Sequence, residues 1–256
     1  MLGAIAGDVI GSVYEANPIK YTDFPLFGRC SHFTDDTVLT VAAAYSILER
    51  CDYATAFKTF GRRYPGAGYG ASFYEWLFSP QSGPYNSWGN GSAMRVSPIG
   101  FAFDSIEAVL NEAESSASVT HNHPEGIKGA QATAIPVFFA RRGEDKNSIK
   151  GEIEKRFAYD LSRTLDDIRP GYRFDVSSQG SVPEAVIAFL ESEDFEDAIR
   201  KAVSLGGDSD TMACIAGGIA QAFYREIPEN IVVNVRERLP AEFLEIIDRF
   251  TDVYGL

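Results

Sequence analysis

Apolar residues recur along most of the chain with the spacing of one face of a helix. In Asp36–Leu48 they form a broad stripe among residues that favour helices. A second stripe, with its apolar positions on one face, follows Asp194, which is expected to cap that helix. Few segments alternate with the period of two that a strand requires. The pattern therefore predicts an all-α protein.

Local start and stop signals predict where further helices lie. No low-complexity linker, charged tail or repeat divides the chain, so we expect one compact single domain over residues 1–256. One helix is expected from a capping box at Asp104 and Glu107 to near Ser118, and another from Pro124 to Ala140 with a kink at Pro136. A third is expected to begin at Ser181 and Pro183 and to run through Leu190. One or two closing helices are expected within Val232–Tyr254.

A stripe of glycine marks the first predicted helix. Gly3, Gly7 and Gly11 recur every four residues and so share one helical face. Glycine inside a helix costs about 1 kcal/mol relative to alanine, so three in register need a compensating reason. Close approach of another helix backbone is the simplest one, and we expect tight helix–helix packing here.

Charge and cysteine content exclude several classes of protein. There are 36 acidic and 23 basic residues, which gives a formal charge of −13 and argues against binding to nucleic acid or anionic membranes. Three scattered cysteines without a CxxC pair argue against a disulfide framework and a cysteine zinc site. The N-terminus lacks the basic region of a signal peptide, and the uncharged run Thr211–Tyr224 is too short to span a bilayer. We expect a soluble cytoplasmic protein.

Two acidic clusters each stand directly before an apolar helix. They are Thr-Asp-Asp-Thr at 34–37 and Gly-Gly-Asp-Ser-Asp-Thr at 206–211. Either cluster alone is typical of a helix N-cap. One cap, however, needs the side-chain oxygen of one residue, whereas each cluster has three or four polar residues in a row. Together they offer four carboxylates with no adjacent Lys or Arg, a set that would repel itself without a cation. Oxygen ligands favour Mg²⁺, Mn²⁺ or Ca²⁺ over zinc, so the clusters predict a metal site.

Other carboxylate and nucleophile enzymes fit the sequence poorly. The aspartyl phosphatase motif, D-x-D-x-(T/V), requires its threonine one position later than Thr211. It also follows a buried strand, whereas the pattern of Ala202–Leu205 predicts a helix. The prenyl-diphosphate motif DDxxD fails at Leu39. An adjacent His-Asp pair, a GxSxG elbow and a P-loop are all missing from the sequence.

Two further stretches carry candidate binding groups. Tyr85–Arg95 is rich in glycine and asparagine and is either a phosphate-binding loop or an ordinary turn before a helix. Thr120–Glu125 contains His121 and His123. A zinc site at these histidines would need a further nitrogen or sulfur ligand nearby. The alternative is a helix cap with exposed histidines. The remaining histidine, His32, adjoins the first cluster and is interpreted as incidental.

At these motifs the sequence resembles the ADP-ribosylglycohydrolase family. The motifs arrive in the family order, span nearly the whole chain, and are GDVIGSVYE at 7–15, FTDDT at 33–37, GNGSAMR at 89–95, THNHP at 120–124 and GGDSDT at 206–211. The resemblance implies a compact orthogonal helical domain with a central dimetal cleft. It also implies two Mg²⁺ ions, for which Mn²⁺ is expected to substitute.

The resemblance assigns roles residue by residue. Glu15 matches a glutamate on a mobile loop that closes over the site, and with Asp35 and Asp36 it is a candidate catalytic residue. The implied metal ligands are Thr34, Asp35, Asp36, Asp208, Asp210 and Thr211. The implied substrate contacts are Glu15, Asn90, Gly91, Ser92, His121, His123, Glu125, Ser178 and Gly180.

The activity implied by the resemblance is hydrolysis of the glycosidic bond between ADP-ribose and a modified acceptor on a protein or small molecule. THNHP favours arginine as the acceptor, whereas the segment 7–15 is closer to the serine-type enzymes. The alternative from another functional class is a protein that binds ADP-ribose without catalysis. Such a protein would be expected to lack one of the metal-ligating residues, and none of them is missing from this sequence. A monomer is expected.

Overall fold

A computed structural model describes residues 1–80 and 83–255. These residues form fourteen α-helices and no strand, with one isolated bridge between Gly89 and Ser177, so the all-α prediction is confirmed. In chain order the helices are α1 (Leu2–Gly11), α2 (Asp35–Glu49), α3 (Tyr53–Arg63), α4 (Ala71–Phe78), α5 (Ser97–Ala102), α6 (Ile106–Ser118), α7 (Pro124–Arg141), α8 (Lys146–Phe157), α9 (Leu165–Ile168), α10 (Ser178–Leu190), α11 (Phe195–Val203), α12 (Ser209–Tyr224), α13 (Glu229–Arg236) and α14 (Ala241–Tyr254).

Helix α1 packs against α12 at backbone distance, because the glycine stripe leaves no side chains between them. A Cβ on Gly3 would lie 2.5 Å from the carbonyl oxygen of Gly217. A Cβ on Gly11 would lie 2.5 Å from the Cα of Asp210. Even alanine would therefore not fit, and the prediction of tight packing is confirmed. The contact holds α1 against the first turn of α12, where the second acidic cluster lies.

Two helices start at residues other than those predicted. The N-cap of α6 is Ser105, whose side chain accepts a backbone hydrogen bond in the first turn, so the capping box expected at Asp104 is wrong by one residue. Helix α10 begins earlier than expected because Ser177 caps it through its side chain. Ser181 and Pro183 consequently lie inside this helix and do not open it.

The other predicted helices are confirmed to within a few residues. Helix α7 starts at Pro124 and continues through Pro136. Helix α11 is capped by Asp194, as expected. The closing segment forms two helices, α13 and α14, and Pro240 is the N-cap of the second.

Apolar side chains from Met1 to Phe250 form a buried hydrophobic cluster to which the helices from α1 to α14 contribute. Helix α12 is buried along nearly its whole length, and α2 along most of its length. The acidic N-termini of these two helices are therefore held inside the molecule and not on its surface. In the part of the chain that the structure describes, no helix is long and apolar enough to cross a membrane.

Candidate active site

A cavity of about 550 Å³ opens beside the N-termini of α2 and α12. The start of α4 and a short 3-10 turn at Asn90–Ser92 form other parts of its wall. The fold therefore gathers residues from distant parts of the sequence around one space. The predicted site residues that line this cavity are Glu15, Thr34, Asp35, Asn90, Gly91, His121, Asp208, Asp210 and Thr211.

The two acidic clusters meet at this cavity. Thr211 Oγ1 shares a hydrogen bond with both carboxylate oxygens of Asp36, each 2.9 Å away, across 175 sequence positions. Carboxylate oxygens of Glu15, Asp208 and Asp210 lie within 4.8 Å of one another, a group that could hold a metal ion. Residues from both clusters and the Glu15 segment thus share one site.

Helix capping accounts for only part of these clusters. Thr34 is the N-cap of α2, and its side chain accepts a hydrogen bond from the N–H of Asp36 at 3.3 Å. Asp208 stands at the N-cap position of α12, but its side chain caps no backbone group. Its Oδ2 instead accepts a hydrogen bond from Asn90 Nδ2 at 2.7 Å. The carboxylates at the cavity therefore remain available to bind something else.

Asp8 supports the first cluster from behind and was not predicted as a site residue. It is completely buried on α1. Its carboxylate accepts hydrogen bonds from the N–H and hydroxyl of Thr34, at 2.9 and 2.7 Å. The N–H of Thr37 donates to it at 3.1 Å, and the Thr37 hydroxyl also donates to it. Since Gly7 and Gly11 place α1 on α12, Asp8 connects the two clusters through one helix. A buried aspartate in a glycine-striped helix is the signal that could have identified it.

Burial dominates the electrostatics of the site. It raises the pKa of Asp35, Asp36 and Asp208 well above the usual range of aspartate, and the nearby Asp210 adds to this effect. The same two causes raise the pKa of Asp8 to about 7, against the lowering effect of its hydrogen bonds. Burial and mutual repulsion therefore favour the protonated forms of these carboxyls, and a bound cation would be needed to stabilise their ionised forms.

The donor set fits a hard divalent cation. Among the residues that the structure describes, no Lys, Arg or His forms a salt bridge with any carboxylate at this cavity. The candidate ligands are carboxylates and threonine hydroxyls, which are oxygen donors of the kind that Mg²⁺, Mn²⁺ and Ca²⁺ prefer. Buried carboxylates that repel one another are stabilised when a cation binds among them.

Glu15 lies on the exposed segment between α1 and α2, with His32 at the same cavity. Burial and Asp210 raise the pKa of Glu15, and His32 partly opposes this. His32 Nδ1 lies 2.8 Å from the carbonyl oxygen of Cys30, which places the ring proton on Nδ1. His32 therefore belongs to the electrostatic surroundings of Glu15, and interpreting it as incidental missed this. Its place next to the first cluster was the available signal.

The glycine- and asparagine-rich loop forms part of the cavity wall beside the carboxylates. Asn90 and Gly91 line the cavity, and the N–H of Asn90 donates to the carbonyl oxygen of Val176 at 2.8 Å. Ser92 is buried behind the loop, where its hydroxyl donates to the carbonyl oxygen of Gly126 at 2.7 Å. The loop is thereby fixed to both α7 and the segment before α10.

Besides Ser92, four of the predicted substrate contacts do not line the cavity. His123 is the N-cap of α7, with Nδ1 accepting from the Glu125 N–H at 3.1 Å. The Glu125 carboxylate lies 3.6 Å from Lys128 Nζ. Ser178 donates to the carbonyl oxygen of the glycine before Asn90 at 2.8 Å, and the Gly180 N–H is bonded to the cap of α10. These four residues support the cavity wall from the helices behind it.

A family model for ADP-ribosylglycohydrolase matches residues 1–256. The chain belongs to the ADP-ribosylglycohydrolase family. It is accordingly a hydrolase that acts on glycosidic bonds of ADP-ribose.

Curated proteins similar to the chain carry the same kind of name. ADP-ribosylhydrolase ARH3 of Xenopus tropicalis is 28% identical, with 91% of this chain and 88% of that protein covered. ARH3 of Homo sapiens is 27% identical over 90% of this chain and 86% of that protein. ADP-ribosylarginine hydrolase Tri1 of Pseudomonas putida is also 27% identical, over 88% of this chain and 69% of that protein.

A solved structure described as an ADP-ribosylglycohydrolase-related protein complex has the same fold. Its TM-score to this chain is 0.78 at 25% identity, with 100% of this chain and 96% of that chain covered. The helical architecture expected from the resemblance is thus confirmed as that of the family.

Within this ADP-ribosylglycohydrolase fold, several cavity residues had no sequence signal. Phe73 lines one part of the cavity, and Phe174 and Val176 line another. Phe174 is 55% exposed and Val176 is 48% exposed, which is unusual for apolar side chains at a cavity. Apolar residues of this kind look like core residues in a sequence, so only the structure identifies them.

Proposed function

We propose that the chain is a Mg²⁺-dependent hydrolase that cleaves the glycosidic bond between ADP-ribose and a modified acceptor, with protein arginine favoured, and releases ADP-ribose. The observation that carries this proposal is the meeting of both acidic clusters and Glu15 at one cavity. The whole chain, residues 1–256, acts as a single domain in this proposal. Its partner is an ADP-ribosylated protein or a small ADP-ribosyl compound.

The proposed cofactor is a pair of Mg²⁺ ions, for which Mn²⁺ can substitute. Ions of this type, when bound, supply Lewis-acid chemistry at the vicinal ribose hydroxyls beside the anomeric carbon. Asp8 holds the hydroxyl and backbone of one proposed ligand, Thr34, through two hydrogen bonds. The residues proposed to hold the ions are Thr34, Asp35, Asp36, Asp208, Asp210 and Thr211.

Glu15 is proposed as the acid or base of the reaction. Its carboxyl lies beside Asp208 and Asp210, and burial together with Asp210 raises its pKa toward the range where proton transfer is efficient. Cleavage of the glycosidic bond builds positive charge on the anomeric carbon. Asp35 and Asp36 contribute negative charge that stabilises this transition state.

ADP-ribose is proposed to lie along the wall that the glycine- and asparagine-rich loop and His121 form. Asn90, Gly91 and His121 line the cavity and are the proposed direct contacts, together with Glu15. Asn90 already uses its side-chain amide to orient Asp208, so it links the substrate wall to the metal ligands. An indirect part, through support of this wall, is proposed for Ser92, His123, Glu125, Ser178 and Gly180.

Arginine is the favoured acceptor on two grounds. The Tri1 relative is named for hydrolysis of ADP-ribosylarginine, and a guanidinium leaving group suits a cavity rich in carboxylates. The alternative is a serine or other O-linked acceptor. Incubation with arginine-linked and serine-linked ADP-ribosyl peptides, with and without Mg²⁺, separates the two. Faster Mg²⁺-dependent release from the arginine peptide supports the proposal, and release from the serine peptide alone contradicts the acceptor.

A non-catalytic ADP-ribose-binding protein is the second alternative, and binding without release from either peptide would favour it.

We also propose that the protein works as a monomer in the cytoplasm, without nucleic-acid or membrane partners. The formal charge of −13 and the three free cysteines support this setting. Light scattering at micromolar concentration measures the oligomeric state.

A further inference from the structure

A buried arginine, Arg95, lines the cavity together with His121. Arg95 is completely buried, and its guanidinium carbon lies 4.3 Å from the ring centre of Phe57. Arg95 Nη2 donates to the carbonyl oxygen of Ser116 at 2.7 Å and to Thr120 Oγ1 at 3.0 Å. Burial lowers the pKa of Arg95 only to about 10, so the side chain is a cation at neutral pH. It can therefore only donate hydrogen bonds.

The Thr120 hydroxyl connects Arg95 to His121. Thr120 is completely buried, and its Oγ1 lies 2.8 Å from Nδ1 of His121. Because Oγ1 accepts a hydrogen bond from Arg95, the hydroxyl keeps one hydrogen to donate. Among the residues that the structure describes, Nδ1 of His121 is the acceptor in contact with this hydroxyl.

This arrangement determines which ring nitrogen of His121 carries the proton. A proton on Nδ1 would leave the buried hydroxyl hydrogen of Thr120 without an acceptor, which native interiors avoid. Nδ1 therefore accepts, and in a neutral imidazole the proton then lies on Nε2. Burial, and to a lesser extent the charge of Arg95, lowers the pKa of His121 well below its usual value, which keeps the ring neutral.

Nε2 of His121 is open on the side of the glycine turn. A Cβ on Gly91 would lie 3.2 Å from Nε2, and one on Gly89 would lie 3.6 Å from it. Over the described ranges 1–80 and 83–255, no protein group hydrogen-bonds to this nitrogen. The absent side chains of the turn thus leave room for an oxygen atom of a ligand.

We infer that Arg95 and Thr120 are positioning residues that hold His121 as the Nε2–H tautomer, so that it donates a hydrogen bond to an oxygen of bound ADP-ribose. The identity of that ligand rests on the proposed function, whereas the tautomer follows from the protein alone. The opposite tautomer would present a lone pair at this position, and that lone pair would repel a phosphate oxygen, which carries no hydrogen to donate. Arg95 and Thr120 therefore control whether this wall attracts an anion.

Histidine-selective ¹⁵N spectra of the ligand-free protein test the tautomer directly. The chain has three histidines, so His32→Gln and His123→Gln variants assign the His121 signals. Wild type is expected to show protonated Nε2 and unprotonated Nδ1. Thr120→Ser keeps the hydroxyl and should keep this pattern, whereas Thr120→Val, which has the same shape without the hydroxyl, should lose it. A protonated Nδ1 in wild type would overturn the inference, whether or not the valine variant folds.

Calorimetric titration with ADP-ribose supplies the second measurement. Loss of one well-placed donor is expected to weaken binding about tenfold in Thr120→Val, with Thr120→Ser within about twofold of wild type. Equal affinity in both variants would contradict the positioning role. Failure of wild type to release ADP-ribose from any peptide, with the predicted tautomer intact, would instead refute the proposed function and leave the positioning of His121 standing.

Discussion

Glu15 stands at the cavity with its carboxylate beside those of Asp208 and Asp210, and its raised pKa suits proton transfer. We expect Glu15→Gln to keep ADP-ribose affinity within a few-fold while kcat falls by roughly 10² to 10⁴, because the change removes the charge and the proton but little volume. Calorimetry and single-turnover kinetics measure the two quantities. Exposed Glu237 on the surface beyond α13 provides the matched control, and Glu237→Gln should leave both unchanged. Lost affinity with normal turnover would make Glu15 a binding residue.

Asp8 gives the metal-free protein a specific pH dependence. Its folded-state pKa of about 7 exceeds the unfolded value near 4, so its contribution to stability is complete below about pH 4 and lost as pH rises through 7. His121 has a lowered pKa and acts in the opposite direction below about pH 6.5. His121 is present in both wild type and Asp8→Asn, so its contribution cancels when the unfolding free energies of the two proteins are compared in EDTA. We expect the unfolding free energy of wild type, relative to the variant, to fall with pH by up to about 1.4 kcal/mol per unit.

Urea unfolding at pH 5, 6 and 7 measures this slope. Added Mg²⁺ should stabilise wild type more at pH 7 than at pH 5, because a cation binds the ionised carboxylates. A pH dependence that is the same in wild type and Asp8→Asn would show that Asp8 is ionised throughout, and its buried site would then need another explanation.

At the scale of elements, the N-termini of α2 and α12 act as one unit. Asp36 and Asp208 lie on different helices, and Thr211 and Asn90 connect them to the same cavity. We expect Asp36→Asn and Asp208→Asn each to reduce turnover by about 10² or more, and the double variant to be little worse than either one, because residues of one catalytic unit are not additive. Single-turnover rates with an ADP-ribosyl peptide test this. Effects that multiply would indicate two separate functions.

The position of α12 against α1 depends on the absence of side chains. In Gly7→Ala the new Cβ would collide with the backbone of Ala213, so we expect a loss of about 1–3 kcal/mol or more in the free energy of unfolding. Gly151→Ala in α8 is the control, because a Cβ there meets nothing within 4 Å, and it should gain about 0.5–1 kcal/mol from helix propensity. Equal effects in urea unfolding would mean that the contact carries no constraint.

These elements also show how far the sequence predicts the fold and the site. The apolar stripes of α2 and α11 and their side-chain caps are local properties, so they predict these two helices well. Boundaries failed where two nearby polar residues can each act as the cap, which are Asp104 and Ser105 at α6, and Ser177 and Ser181 at α10. The meeting of the two clusters depends on long-range packing, which spacing does not encode, and the family resemblance supplied it. Asp8 and His32 were missed because the residues on which they act, Thr34 and Glu15, lie 26 and 17 positions away in the sequence.

At the scale of the whole molecule, the fold gathers acidic groups that form no salt bridge within residues 1–80 and 83–255, and it places them beside a cavity large enough for a small ligand. We expect such an arrangement to need a cation for full stability and activity. The proposed activity therefore depends on a bound metal ion. Because all the proposed ligands are oxygen atoms, the site should bind hard cations in preference to zinc.

The most direct test is release of ADP-ribose from an ADP-ribosylarginine peptide by protein dialysed against EDTA, before and after metal is restored. We expect release to fall to background in EDTA, to recover with Mg²⁺ or Mn²⁺, and not to recover with Zn²⁺. Recovery should be lost in Asp36→Asn, which ties the metal to this cavity. Full turnover by the chelated protein would contradict the central claim that the converging carboxylates work by holding a metal ion.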